Sequence, residues 1–101
     1  MTKLQLTIYV NETDMSGEVP LHEIIVRRLL HLEIAGATVE RGVMGYGKHG
    51  KVHRRRLLGV SDDRPIVITA IDDAERIRPA LPEIKALVVE GLITLNEVEI
   101  V

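Results

Sequence analysis

The sequence has no cysteine, no phenylalanine and no tryptophan, and only two tyrosines, Tyr9 and Tyr46, in 101 residues. Without cysteine there is no disulfide framework, no thiolate metal site and no cysteine nucleophile. Without large aromatics the core has to be aliphatic. The 46% of hydrophobic residues is enough material for one core, hence a single domain spanning residues 1–101. Two tyrosines are also too few to build the stacking platform on which single-stranded RNA is read, so no nucleic-acid partner is expected. No stretch nears the ~18–20 apolar residues of a membrane span, and the opening residues hold no signal-peptide run. Membrane insertion is therefore not expected, and a cytoplasmic location is the default reading.

Hydrophobic periodicity divides the chain into six elements. Leu4, Leu6, Ile8 and Val10 alternate with polar residues, the period of a half-buried strand. After the turn-rich Asn11 to Gly17, Pro20 is placed to open a helix. Leu21, Ile24, Ile25, Leu29 and Leu32 form its apolar face, Glu23 and Arg27 pair on the other, and Gly36 is the expected stop. Ala37 to Val43 reads as extended, and Val52 to Val60 as a basic outer ribbon. Ile66 to Ile71 is apolar on both faces, which marks a central strand whose far face also needs cover. Asp72 and Glu75 have the spacing of a helix N-cap pair, and a bend or restart is expected near Pro82. Gly91 closes that helix, and Leu92 to Val101 is the last strand. The order β-α-β-β-α-β predicts an α+β, ferredoxin-like βαββαβ sandwich, a four-stranded antiparallel sheet with two helices on one face. Its uncovered face predicts an oligomer.

The chemistry concentrates between Arg41 and Arg56. These residues hold four glycines, six Lys or Arg, His49, His53 and Tyr46, with no acidic residue. The chain as a whole carries 13 basic and 15 acidic residues, so outside this island 7 basic residues face all 15 acidic ones. A positive island in an acidic chain, with glycines that let backbone N–H groups come close, is what an anion site requires. Four glycines and adjacent like charges also predict a mobile loop. Gly45 to Gly50 spells GxGxxG, but a dinucleotide turn needs a helix after its last glycine, and Lys51-Val52-His53-Arg54 leans toward strand. His49 and His53 lie four apart on a glycine-flanked loop that does not hold them face to face, so no metal site is expected. Ser61-Asp62-Asp63 reads as a turn with no base beside a nucleophile, so no catalytic residue and no enzyme is expected.

Gly36-Ala37-Thr38-Val39-Glu40-Arg41-Gly42-Val43-Met44-Gly45-Tyr46-Gly47-Lys48-His49-Gly50-Lys51, together with Leu57-Leu58 and the run Arg64 to Asp72, resembles the second strand and loop base of the PII-like signalling proteins. The likeness spans nearly the whole chain and is closest to an uncharacterised conserved branch of that family. It implies a homotrimer that binds an adenine nucleotide at subunit clefts, with no other cofactor, and shows a partner protein the loop of residues 47–60. The positions it assigns to the nucleotide are Gly45, Tyr46, Gly47, Lys48 and His49; the basic run adds Lys51, Arg54, Arg55 and Arg56 as expected phosphate contacts, and Thr38 and Arg41 complete the expected site. His49 stands where the main branch has glutamine. No tyrosine follows Tyr46 to serve as that branch's modification site. The main branch also follows its second helix with a phosphate-binding Gly-Asp-Gly-Lys loop, whereas Gly91 here runs directly into Leu92-Ile93-Thr94-Leu95. AMP or ADP is thus favoured over ATP. The alternative is a structural or metal-tolerance-type trimer of the same fold without nucleotide.

Overall fold

Period-two alternation produces β1, Lys3–Asn11, whose Leu4, Leu6, Ile8 and Val10 are buried on one face. A small hairpin follows, β2 at Met15–Ser16 and β3 at Val19–Pro20, turning at Gly17 with φ 64°. Helix α1, Leu21–His31, buries Leu21, Ile25 and Leu29 and carries the Glu23–Arg27 pair on its outer side at 3.7 Å. Strand β4 is Ala37–Arg41, and a two-residue ribbon pairs β5, Met44–Gly45, with β6, His53–Arg54. Strand β7 is Pro65–Asp73, helix α2 is Ala74–Leu87, and β8 is Leu92–Val98. This computed structural model describes residues 2–47, the backbone of 53–54, and 63–101.

The main sheet has the order β4-β7-β1-β8, every neighbour antiparallel, so the expected βαββαβ architecture is the observed one. Both helices cover one face. There Ile66, Ile68 and Ala70 of β7 stand beside Val10, Ile8 and Leu6 of β1, and Ile25, Leu29, Ile77, Ala80 and Ile84 descend on them from the helices. Burying a Leu or Ile side chain is worth about 1.5–3 kcal/mol, so this aliphatic layer dominates the folding energy.

The open face is less apolar than the sequence predicted. Val67 and Ile71 of β7 do lie on it, half-buried. Between them the register aligns Thr38, Thr69, Thr7 and Thr94 in one row across all four strands. The neighbouring row reads Glu40, Val67, Tyr9 and Leu92. At the end of the face Lys3 Nζ meets Asp73 Oδ1 at 2.6 Å; their hydrogen bond raises the Lys3 pKa and lowers that of Asp73.

Three local expectations are corrected. Helix α1 ends at Leu32, before Gly36: Glu33 takes the left-handed conformation (φ 61°), Glu33 N–H donates to Leu30 O at 3.0 Å, and Ile34 N–H donates to Leu29 O at 3.1 Å. That is a Schellman cap with a glutamate in the glycine position, sealed by buried Ile34 over Leu29. Asp72 does not cap α2. Asp73 is the N-cap residue, without a side-chain cap bond, while buried Asp72 accepts from Ala35 N–H at 2.9 Å and from Asp73 N–H at 2.7 Å. Its carboxylate thus ties the α1–β4 connection to the end of β7. Nor does α2 restart at Pro82. It runs on as one 14-residue element, because Pro79 and Pro82 are exposed while Ile77, Ala80 and Ile84 anchor the inner face through both. The carbonyls freed by the prolines can turn to water.

A residue other than glycine in the left-handed region carries a steric cost that glycine avoids, offset in part by glycine's greater freedom when unfolded. Glu33→Gly is expected to stabilise the fold by about 0.5–1 kcal/mol, read from urea unfolding as a higher midpoint at unchanged slope. A loss of stability would mean that the Glu33 side chain contributes more than its backbone strain costs.

Candidate functional site

Strand β4 leaves the sheet at Arg41, and the next residue turns the chain upward. Gly42 N–H donates to Pro65 O at 2.7 Å, continuing the β4–β7 ladder by one bond. A Cβ on Gly42 would stand 2.6 Å from Pro65 Cγ, so only glycine lets the strand pass over the proline ring. Beyond it β5 and β6 pair, Met44 opposite Arg54 and Gly45 opposite His53. The expected hairpin base is therefore present at these positions. It sets Val43, Met44 and Tyr46 outward, all more than half exposed. Among the described residues, nothing lies within 4 Å of where a Cβ on Gly47 would be.

The turn after β1 braces both stems of this hairpin. Asp14 N–H donates to Asn11 O at 3.1 Å, and Asp14 Oδ2 accepts from Asn11 N–H at 2.9 Å, closing the turn on itself. Glu12 N–H donates to Arg64 O at 2.8 Å and Thr13 N–H to Asp63 Oδ1 at 3.0 Å, which fixes the downstream stem. On the upstream stem, Glu12 Oε2 accepts directly from Arg41 Nε. The Arg41 side chain is still 58% exposed, whereas the Glu12 side chain is 22% exposed.

Arg41, Gly45, Tyr46 and Gly47 thus fall together at one end of the sheet, and Arg54 joins them through backbone pairing of β6 with β5. Thr38 does not join them. It is three residues from Arg41 on a strand, so it projects from the opposite face, in the threonine row. Lys48, His49, Lys51, Arg55 and Arg56, the predicted mobility of the loop, and most of the partner-facing stretch 47–60 lie outside the described residues. Glu12 is the participant the sequence did not disclose: its link to Arg41 crosses 29 positions, and a single acidic residue in a turn carries no pairing signal. Two shallow grooves lie elsewhere. One, of about 480 Å³, runs between α2 and β8 along Leu81, Lys85, Val88, Gly91, Ile93 and Leu95. The other, of about 390 Å³, is lined by Thr2, Lys3 and residues 97–100. Neither includes a predicted site residue. Among the described residues no three His, Asp or Glu side chains gather as a metal set.

The model of the DUF190 family, described as "Uncharacterized ACR", matches residues 3–100. The chain belongs to the DUF190 family. This DUF190 chain is 33% identical over 99 residues to a UPF0166 protein of Aquifex aeolicus (strain VF5), an overlap of 98% of the chain and 93% of the relative. Among solved structures it is similar to CPII, a nitrogen regulatory PII-like protein from Thiomonas intermedia K12 whose structure holds ADP, AMP and bicarbonate. The TM-score is 0.75 at 20% identity, over 99% of this chain and 89% of that one. It is also similar to the divalent cation tolerance protein Cut A1 from Thermus thermophilus, with TM-score 0.61 at 17% identity over 97% and 84% of the two chains. At these identities the likeness is one of fold, and that fold is PII-like. The resemblance to an uncharacterised conserved branch agrees with both the family and the fold.

Gly42 passes close over Pro65, with no room for a Cβ between them. Gly42→Ala forces the proline or the strand to move, a cost of about 1–3 kcal/mol for overpacking of this kind. Chemical denaturation is expected to show that loss, together with faster amide exchange at Gly42. Unchanged stability would show that the stem yields freely.

Proposed function

We propose that this protein is a non-enzymatic PII-like regulator: a homotrimer that binds AMP or ADP at its subunit clefts and presents residues 47–60 to a partner protein. The observation that carries the reading is the β5–β6 ribbon. It lifts half-buried Gly45 and exposed Tyr46 and Gly47 off the end of the sheet beside Arg41 and at the threshold of the basic run, with no described side chain crowding Gly47. Backbone N–H groups near two glycines, an exposed aromatic ring and a guanidinium are the partners that a phosphate and a purine call for. The likeness in fold to a protein solved with ADP and AMP supports the same ligand class.

Assembly follows from the same architecture. Strands β4 and β8 are unpaired sheet edges, and the open face carries Val67, Ile71, Tyr9 and Leu92. Neighbouring copies would cover both. Nucleotide occupancy would neutralise the basic loop and change the surface offered to the partner.

Titration calorimetry with ADP and AMP on the trimer, confirmed by light scattering, tests the reading. Charge-assisted contacts contribute about 1.5–3 kcal/mol each, so Lys48→Ala with Lys51→Ala is expected to weaken binding on the order of a hundredfold or more at unchanged apo stability. Binding that survives the double change moves the site away from the loop. Absence of heat with any adenine nucleotide up to millimolar concentration ends the nucleotide reading. A thermal shift with divalent cations would then favour the metal-tolerance-type trimer that the Cut A1 likeness raises.

A further inference from the structure

We propose that Glu12 is a built-in competitor for the anionic ligand, holding Arg41 in the ligand-free chain and surrendering it to a phosphate group when ligand binds. The proposal rests on the reading of the hairpin stem as a phosphate-binding site, and it assigns a role to a residue outside the basic stretch.

Four observations carry it. Arg41 is the basic residue placed at the upstream stem, and its guanidinium is bonded by Glu12 at Nε, the one ion pair it makes among the described residues. Among the described residues nothing else engages its donor fork, and the Arg41 side chain is 58% exposed, so a ligand can approach without moving the backbone. Glu12 sits on a turn closed by Asn11 and Asp14 and bonded to Asp63 and Arg64, so its carboxylate is delivered to Arg41 by a rigid support rather than by chance rotation of a free side chain. Exposed ion pairs are the weak class, whereas a phosphate brings more charge and can engage the guanidinium fork in bidentate fashion. The exchange therefore runs toward ligand. Glu12 moderates affinity and raises the threshold concentration, and a weakly charged anion does not displace it.

Removing the carboxylate while keeping its shape isolates the effect. Glu12→Gln is expected to bind both ADP and inorganic pyrophosphate roughly three- to fivefold tighter than wild type in calorimetry at fixed salt, the range that loss of a weak ion pair allows. In an Arg41→Ala background the same change is expected to have no effect, since there is nothing left to release. The melting temperature of each unliganded variant separates this from a bracing role, which would lower stability without tightening binding. Equal gains in both backgrounds would assign the effect to general repulsion and overturn the exchange, as would unchanged or weaker binding by Glu12→Gln. A gain for pyrophosphate with no ADP binding in any variant would leave the exchange standing and sink the nucleotide reading. If neither anion binds wild type or Glu12→Gln, both fall.

Discussion

The antiparallel pairing of β1 with β7 is the constraint on which the rest of the structure depends. It runs in unbroken register from Lys3 opposite Asp73 to Asn11 opposite Pro65. Because side chains alternate, this one register decides every facing: Ile8 with Ile68 and Leu6 with Ala70 go to the helices, Thr7 with Thr69 and Tyr9 with Val67 to the open side. A slip of one residue would turn the aliphatic core out to solvent and bring the threonines in. The same register brings the turn after β1 level with Pro65, where the chain returns from the basic stretch. The site is therefore a consequence of the core, assembled where its two central strands end.

At that end the geometry serves electrostatics. An acidic chain places 6 of its 13 basic residues between Arg41 and Arg56, and two residue pairs of the stem are described, Met44 with Arg54 and Gly45 with His53. Glycine appears in the stem for a definite reason at Gly42, where the backbone bonds to Pro65 and leaves no room for a side chain. Gly91 meets a similar demand at the same end of the sheet but on its opposite edge, before β8, where a Cβ would stand 2.5 Å from Tyr9 O. Both are points at which a loop has to press against the sheet. Glu12 and Arg41 pair at the foot of the stem, and in the exchange we propose, the choice between an internal carboxylate and an external phosphate follows from exposure and number of donors.

Most of the fold was legible because periodicity is a direct image of burial. The even-numbered residues of β1 and β7 and the stripe Ile77–Ile84 need no partner information to be read. What escaped were features in which a local signal was overridden by a tertiary one. Proline at 79 and 82 predicts a bend or restart near Pro82, but α2 does not restart there: both prolines are exposed, and buried residues on the other side carry it through as one helix. Gly36 has the look of a helix stop, yet left-handed Glu33 and the backbone bond from Ile34 N–H to Leu29 O place the cap at Glu33. Asp72 and Glu75 have capping spacing, but spacing says nothing about direction, and Asp72 turns back to Ala35. In the site, the glycine and basic residues were visible as composition, and Thr38 was grouped with Arg41 although strand geometry sends the two to opposite faces. The Glu12–Arg41 pair was invisible because only the folded register brings those positions together.

The central claim is that the stem of the basic hairpin, at the β1–β7 end of the sheet, is where a phosphate-bearing ligand is received. Backbone amide resonances followed by NMR during titration with ADP test it residue by residue. The account predicts that the large shifts fall on Arg41 to Gly47, His53–Arg54 and Glu12, with the groove between α2 and β8 unmoved. Shifts confined to Leu81, Lys85, Val88 and Gly91, or saturation of binding with the stem amides unchanged, would contradict it.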